Sequence, residues 1–416
     1  MARACRLSYG NRSGSAEWWF DGSYLTVSPE QGGPITLAVP EIAGIAGDGY
    51  ELRLSLPGPL GGVVGAGPTT TATALDLVLT HLGAEGPTLL ERLRREWVPA
   101  RAKALRLGGS GEGKPFTGLV TGLEENAGAT ASQGRPAGAP EPFHALLFED
   151  VLVVGREGRD LEPVFLALAE AFDLDEPSYA VRVRLWPDQE VVFSKMAGQT
   201  EEFLRGLRAN RALLAEESAV ALSSMVPLLP AGGRASLAGM WPPGSLLELE
   251  AMEAVCPGFH AAFRESVLPG LLRHEEAGFL LGWASGGPAW LGCTRKSAAS
   301  SGETGNEGYP LWLLCGREGT WFLEALSSED RATYCFSGGE DTPVLVSKLL
   351  SAPKFSREAL YSPLEEFSGD KAELAIPARS LAFLVELRSR FRDRVIHRTL
   401  EGWRGDVERL AGSPSD

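Results

Sequence analysis

The stretch Tyr50–Leu56 alternates apolar and polar residues strictly, and Tyr179–Leu185 repeats the alternating pattern. Alternation with period two places every second side chain on the same face of an extended strand. Shorter runs of strand character precede each stretch, and a segment with leucines at the spacing of a helix face follows each one. The pattern therefore predicts the same order of elements, several strands and then a helix, in two places.

These elements form a faint internal repeat. The corresponding residues in the two copies are Phe20 and Phe148, Tyr50 and Tyr179, Leu79 and Phe193, Leu90 and Leu204, Leu93 and Leu207, and Arg94 and Arg208. The early pairs have a larger offset than the late ones, and the longer loop Leu56–Ala74 of the first copy accounts for that difference. We therefore predict two copies of one β-rich unit, each closed by a helix.

Composition divides the rest of the chain. Residues 108–142 are rich in Gly, Ala, Pro and Ser, which is typical of a linker. After it comes a second copy, and short aromatic and β-branched runs further on predict a third β-rich unit. Near the C-terminus a helix is predicted by an apolar stripe formed by Leu384, Leu387, Phe391 and Val395. The predicted parts are a first unit (1–107), a linker (108–142), a second unit (143–226), a helical connector (227–274) and a third unit with C-terminal helices (275–416).

Strands with sharp turns, closed by one amphipathic helix, resemble the pleckstrin-homology-like superfold. The resemblance covers about 80 residues in each copy and rests on the order of the elements, and the third unit resembles the superfold more distantly. It implies an α+β fold with two pleckstrin-homology-like β-sandwich or barrel repeats, each closed by a helix. A helical connector and a third β-rich unit followed by C-terminal helices complete the expected fold. Domains of this kind bind phospholipid headgroups, peptides or other domains and are rarely catalytic, although fold alone does not fix function.

Charge narrows the choice of partner. The chain has 54 acidic and 39 basic residues, a net charge of −15, whereas nucleic acids and anionic membranes attract positive surfaces. The loop after the first strand, Ser28–Gly33, has no basic residue, so we expect neither nucleic acid nor anionic lipid as the main partner. No segment has the apolar length of a membrane span or a signal peptide, and we expect a cytoplasmic protein. High Ala, Gly and Arg content with little Lys is typical of a GC-rich bacterial genome.

The motifs that would carry chemistry are incomplete. Gly108–Pro115 is similar to a phosphate-binding loop, but the hydroxyl residue that should follow Lys114 is Pro115. His274–Gly278 begins like a zinc-protease motif and lacks the second histidine. The five cysteines are irregularly spaced, so they do not indicate a disulfide framework. Cys293, Cys315 and Cys335 lie within apolar runs, where thiols usually act as small buried hydrophobes, with metal or redox roles as the alternative. We predict no catalytic residue, no metal site and no cofactor.

Two basic islands interrupt the acidic average. Gly86–Lys114 contains seven basic and three acidic residues, and Ala378–Gly412 contains eight basic and five acidic residues. Such islands are usually solvated helix faces, and the alternative is a docking site for an acidic partner or for an acidic face of a second copy. The candidate partner-binding residues are Arg388, Arg392, Arg394, Arg92 and Arg95.

The sequence favours a non-catalytic cytoplasmic scaffold or adaptor that acts through protein–protein contacts. Its binding surfaces would be free sheet edges or grooves on the closing helices. The alternative is an enzyme whose site is assembled from distant residues in the Trp-rich third unit, near His274 or the segment Ser301–Glu307. The sequence therefore leaves two further alternatives, that the protein is an enzyme and that it forms a homo-oligomer.

Overall fold

The computed structural model describes residues 3–10, 12–48, 50–56, 75–108, 111–123, 139–295, 310–326, 332–353 and 356–412. The fold is mixed α+β, with three antiparallel sheets and helices packed around them. The sheets have seven, seven and six strands, and they belong to three successive units of the chain.

The first unit contains strands β1 (Arg3–Tyr9), β2 (Arg12–Phe20), β3 (Tyr24–Pro29), β4 (Ile35–Ala38), β5 (Gly44–Gly47), β6 (Glu51–Leu56) and β7 (Leu75–Thr80), followed by helix α1 (Gly86–Ala104). The spatial order of the strands is β4-β3-β2-β1-β7-β6-β5. The alternation predicted for β6 is observed, because Leu52 and Leu54 are buried while Arg53 between them is exposed. Helix α1 buries Leu93 and Trp97 in the same core.

The second unit contains strands β8 (Lys114–Thr121), β9 (Glu141–Leu147), β10 (Val151–Arg156), β11 (Glu162–Phe165), β12 (Ala169–Asp175), β13 (Ala180–Leu185) and β14 (Gln189–Ser194), followed by helix α2 (Thr200–Met225). The spatial order is β11-β10-β9-β8-β14-β13-β12, which matches the first sheet strand for strand. Burial again alternates along the central strand, since Val181 and Val183 are inside and Arg182 is outside.

Strand pairing aligns the two units residue by residue. Strands β3 and β4 pair in the same register as β10 and β11. Phe20 pairs with Leu25, and Leu147 pairs with Leu152 in the matching position of the second sheet. Phe20 therefore corresponds to Leu147, and the predicted match with Phe148 is one residue out of register. The prediction aligned two aromatic side chains, whereas the pleat of the sheet sets the true correspondence.

The closing helices meet their sheets at the same place in both units. Trp97 Nε1 in α1 donates to the carbonyl oxygen of Ile42 at 2.8 Å, and Arg211 Nε in α2 donates to that of Ala169 at 3.1 Å. Ile42 and Ala169 each directly follow the short 3-10 turn that links the fourth and fifth strands of their sheet. An indole in the first unit and a guanidinium in the second unit thus donate to equivalent backbone carbonyls.

Strand β8 corrects the predicted linker 108–142, because it lies inside that range and forms the centre of the second sheet. Phe116 and Val120 point into the core, as expected for a strand, but Gly118 between them hides the apolar pattern. A Cβ at Gly118 would lie 2.5 Å from a backbone oxygen of β14, so close packing of the strands requires glycine there. Residues 109–110 and 124–138 of the predicted linker lie outside the described residues, and its last two residues begin β9.

The third unit contains, in chain order, α3 (Ala231–Met240), β15 (Leu246–Glu248), α4 (Leu249–Val255), α5 (Phe259–Ala262), α6 (His274–Trp283), β16 (Ala289–Cys293), β17 (Leu311–Arg317), β18 (Thr320–Ala325), β19 (Ala332–Ser337), α7 (Thr342–Ser351), α8 (Glu358–Tyr361), α9 (Ala375–Ser380), α10 (Ala382–Arg390), β20 (Phe391–Ile396) and α11 (Leu400–Gly412). Its sheet follows the chain from β15 to β20.

Two predictions for this part of the chain are corrected. The expected helical connector 227–274 contains β15, the edge strand of the third sheet. The helix expected to continue through Phe391 and Val395 ends at Arg390, and β20 pairs with β19 instead. Pairing with a neighbouring strand decides the conformation there over the local helical spacing.

Three apolar clusters form the core. One of them runs through all three units and includes Leu54 of the first, Val153 of the second and Leu384 of the third. The second cluster fills the interior of the second unit, and the third lies between the third sheet and helices on one of its faces. The units therefore pack against one another as a continuous body.

Candidate functional site: a groove between the first and second units

A groove of about 1250 Å³ lies between helix α1 of the first unit and strands β8 and β9 of the second unit. Its floor is apolar. Leu90 and Val98 from α1 and Leu146 from β9 are buried there, and half-buried Phe148 lies beside them. An open concave surface of this composition is suited to receive apolar side chains of a ligand.

The pleat of β9 turns alternate residues toward the groove. Phe143 and Leu147 point into the interior of the second unit, whereas His144 and Leu146 face α1. Burial lowers the pKa of the His144 imidazole, and the positive charge of Arg94 lowers it further. The ring is therefore neutral at pH 7, and it can donate or accept one hydrogen bond inside the groove.

A charged stripe of α1 forms one rim of the groove. Glu91, Arg95, Pro99 and Lys103 recur every four residues, so they lie along one side of the helix, and all four are exposed. Arg95 Nε lies 3.2 Å from Glu96 Oε1, and Lys103 has no ion pair with any residue that the structure describes. Two cations thus stand beside an apolar floor.

The turn between β10 and β11 fixes the second unit onto the first. The Gly158 N–H donates to the carbonyl of Ile45 in edge strand β5 at 2.9 Å. The Glu157 carboxylate accepts from Arg94 Nη2 at 3.1 Å and from the Gly47 N–H at 3.3 Å. The β5 edge of the first sheet is therefore covered by the chain's own second unit. These contacts hold the second unit in place beside the groove.

Arg101 holds the C-terminal part of α1 in place. Its side chain is fully buried and forms a two-pronged salt bridge with Asp160 of the second unit. The same guanidinium donates to the Pro40 carbonyl at 2.6 Å and to Ser380 Oγ at 2.7 Å. One side chain of the first unit thus bonds to its own unit and to both others.

One of the five candidate arginines, Arg95, lines the groove, and a second, Arg92, lies on the same helix. Arg92 lies three residues before Arg95 and, like it, is exposed. The Arg92 guanidinium stands 5.3 Å from the centre of the Phe20 ring, a distance at which the cation and the ring attract each other. Both side chains reach solvent and are accessible to a partner.

The other three candidates lie in the third unit and contact their own chain. Arg388 donates to the Ser362 carbonyl at 2.8 Å, and burial lowers the pKa of its guanidinium. Arg392 Nη1 lies 3.4 Å from a carbonyl oxygen of α11, and the Arg394 guanidinium is 4.1 Å from the Tyr361 ring centre. The structure therefore does not bring these three residues together with Arg92 and Arg95, and it engages them in the packing of the third unit.

Sequence reasoning missed a buried polar cluster in the third unit. His397 Nε2 lies 2.9 Å from Thr333 Oγ1 and 3.3 Å from Glu324 Oε2. Trp403 Nε1 donates to Thr333 Oγ1 at 2.7 Å, and Glu276 Oε1 is 4.0 Å from His397 Nδ1. Burial raises the pKa of the Glu324 carboxyl, although His397 and Thr333 oppose this shift. These residues come from five separate elements or loops, so no local motif could have indicated them.

The cluster is closed to solvent in this structure. The Thr333 hydroxyl donates to Glu324 and accepts from Trp403. The side chains of His397 and Glu324 are 4% and 0% exposed. His274, named in the enzyme alternative, is exposed at the start of α6, and the segment Ser301–Glu307 lies outside the described residues.

The cysteine thiols are removed from solvent. All five cysteines are free and buried, and burial raises the pKa of Cys5 to about 11 and of Cys293 and Cys335 to about 12. Thiols with such pKa values are almost entirely protonated at neutral pH, and the protonated thiol is a poor nucleophile. Among the described residues, no three His, Cys, Asp or Glu side chains lie close enough to hold a metal ion. No described helix has the length and apolar character needed to cross a membrane.

Comparison with protein-family models and with curated proteins gives no match for this chain.

Proposed function

We propose that the protein is a non-catalytic adaptor that binds a partner protein in the groove beside helix α1. In this proposal the first two units are pleckstrin-homology-like repeats, and the third unit packs against both of them. The proposal is supported by the shared strand order of the two seven-stranded sheets, each followed by a closing helix. We place the adaptor in the cytoplasm, in line with the composition of the chain.

Sheet edges are less suited to receive a partner than the groove is. The β5 edge is taken by Gly158 of the second unit, and carbonyls of β12 accept from Arg208 and Arg211 of the chain's own helix. Strand β4 has four residues and follows Pro34, two features that protect an edge from strand addition. The groove therefore carries the proposal.

The groove favours an amphipathic helix over a small metabolite. Its volume of about 1250 Å³ exceeds the about 300–1000 Å³ that is usual for small-molecule sites. An apolar floor with a charged rim is the surface on which an amphipathic helix lays its apolar face. Because Arg95 and Lys103 stand on the rim, the partner helix should carry acidic residues beside its apolar stripe.

The proposal can be tested with a photo-crosslinking amino acid at Thr117, an exposed residue that lines the groove. We expect one cellular protein to crosslink there, and we expect Arg95→Glu together with Lys103→Glu to reduce the yield about tenfold. Peptides from the crosslinked region of that partner should be helical and acidic when bound.

The matched control is Arg182→Glu, a change of the same charge on an exposed strand of the second unit that does not line the groove. It should leave the crosslink unchanged. Equal loss in the control and the groove variant, or crosslinking that survives reversal of both rim charges, would contradict binding in the groove.

A further inference from the structure

The outer face of helix α2 exposes apolar side chains to solvent. Leu213 is 51% exposed and Val220 is 65% exposed, and they lie seven residues, about two helical turns, apart. Ala209 and Ala212 are also exposed and lie on the same face of the helix. Together these four residues form the outer stripe of α2.

Two residues of opposite charge border the outer stripe. Arg205 and Glu216 are exposed on the same side of α2, and neither forms an ion pair with a described residue. They are eleven residues apart, which is about 16 Å along the axis at a rise of about 1.5 Å per residue. The outer stripe is therefore amphipathic, with an unpaired cation towards its N-terminal end and an unpaired anion further along.

The rim of the groove carries the opposite charges at nearly the same spacing. Glu91 and Lys103 line the groove on one exposed side of α1, twelve residues or about 18 Å apart. In the part of the chain that the structure describes, both are without an ion pair. If a helix with the α2 sequence lies parallel to α1, Arg205 falls beside Glu91 and Glu216 beside Lys103. An antiparallel helix would instead bring like charges together, so complementarity fixes the direction.

The groove cannot receive α2 from the same chain. Leu207 of α2 packs in one cluster with Phe143 and Leu147, which lie on the side of β9 that points into the second unit. His144 and Leu146, on the opposite side of β9, face the groove. The strand thus separates α2 from the groove within one molecule, and only a second molecule can bring the two surfaces together.

We propose that a second copy of the chain seats the outer stripe of its α2 in the groove, parallel to α1. Leu213 and Val220 then cover part of the apolar floor, and the bordering charges pair with the rim. The contact joins two different surfaces, so it produces head-to-tail association. This inference goes beyond the adaptor function, because it requires the groove but no partner protein. A second copy and a partner would exclude each other from the groove.

The association should be weak and reversible. The outer stripe offers only two large apolar side chains, and exposed ion pairs contribute little to binding. We therefore expect it at high concentration of the chain, and a partner that binds more tightly would displace the second copy.

Sedimentation velocity of the full chain, from low micromolar to near-millimolar concentration, tests the association. We expect the wild type to self-associate, and we expect Leu213→Glu to weaken association about tenfold, because it places a charge against the apolar floor. The matched control is Leu228→Glu, the same change at a residue that is 88% exposed and lies beyond the end of α2. Lys103→Glu and Glu216→Lys should each weaken association about threefold, and the chain with both changes should recover it.

A photo-crosslinking amino acid at Thr117 locates the contact in the purified chain. Because Thr117 is exposed and lines the groove, crosslinked dimers should yield peptides from Thr200–Met225. The purified chain contains no cellular partner, so this result is independent of the one that tests the adaptor function.

The proposal is overturned by a wild type that stays monomeric throughout the concentration series. Equal weakening by Leu213→Glu and Leu228→Glu, or dimers crosslinked only outside α2, also overturns it. Loss in both charge variants without recovery in the double variant overturns the parallel pairing of Glu216 with Lys103. Thermal unfolding checks that each variant folds, and all the changed side chains are exposed.

Discussion

Arg101 and Asp160 are joined by two hydrogen-bonded contacts across the junction of the first and second units, with Arg101 Nε 2.9 Å from Asp160 Oδ1. Arg101 is fully buried, and the Asp160 side chain is 15% exposed. A buried arginine is tolerated only when its charge and its N–H groups are matched. This pair, with the Pro40 carbonyl and Ser380 hydroxyl, meets that condition and fixes all three units around α1.

Arg101→Ala should lower the free energy of unfolding by about 3–5 kcal/mol, because it leaves the Asp160 charge in the junction without its cationic partner. Urea unfolding followed by tryptophan fluorescence measures the loss. The double change Arg101→Met with Asp160→Leu should recover most of it, since neither charge remains buried. A loss no larger than that of Arg95→Ala, which breaks an exposed pair with Glu96, would contradict this role.

Gly44→Ala should loosen the junction. The new Cβ would lie 2.8 Å from the Gly158 carbonyl carbon and oxygen, so the second unit must shift or the strand must bend, at a cost of about 1–3 kcal/mol. Hydrogen exchange should show faster exchange of the Gly158 amide. Gly33→Ala is the control, because a Cβ there meets nothing within 4 Å and Gly33 has no left-handed backbone. Equal effects of the two changes would rule out the close approach as the cause.

Glu324 should make the third unit less stable as the pH rises. Burial raises the pKa of Glu324, so the folded chain holds this proton more tightly than the unfolded chain does. Its stabilising contribution is fully present below the unfolded pKa and is lost as the pH rises through the raised folded pKa. Glu324→Gln keeps the neutral shape, and its advantage over the wild type should grow as the pH rises from the unfolded pKa towards the raised folded pKa, by at most about 1.4 kcal/mol per pH unit.

Urea unfolding at several pH values measures this difference. Glu276, Arg273 and His397 face the same cluster, and His397 Nε2 lies 3.3 Å from Glu324 Oε2, so the measured difference belongs to the Glu324–His397 pair. Glu366→Gln, an exposed change, should show no growth with pH. A wild type and a Glu324→Gln variant with parallel pH profiles would show that Glu324 keeps its ordinary pKa.

The cysteines should not react with thiol reagents in the folded protein. All five are buried, and the raised pKa values of Cys5, Cys293 and Cys335 keep the thiolate fraction very small at neutral pH. Absorbance after addition of Ellman's reagent should show no released thiolate over minutes and five equivalents in denaturant. Rapid reaction of one thiol in buffer would show that its surroundings open readily.

Strands with a regular alternation of apolar and polar residues can be predicted well from the sequence. Strands in which this alternation is interrupted cannot. Strands β6 and β13 were both predicted, because their inward leucines and valines alternate with charged residues. Strand β8 was assigned to a linker, since Gly118 occupies a position where packing leaves no room for a side chain. Strand β20 was assigned to a helix because its apolar residues fit both periods, and only its pairing with β19 separates the two.

The site was predicted less completely than the fold. Arg92 and Arg95 were named from a local excess of positive charge, and they do lie on an exposed helix face. The same reasoning named Arg388, which donates to the backbone carbonyls of Ala359 and Ser362 in and just after α8. Counting charges along the sequence does not detect neutral acceptors of this kind. The groove floor joins Leu90 to Leu146, which are distant in sequence, so only the docking of the two units reveals it.

The walls of the groove belong to two units that fold from different parts of the chain. Neither wall offers the complete surface alone, so a partner that fits it recognises only molecules in which both units are folded and docked. By mass action, such a partner would also favour the docked state over any state in which the units separate. A partner in the groove would therefore bind only the assembled chain and would stabilise the junction of the first two units.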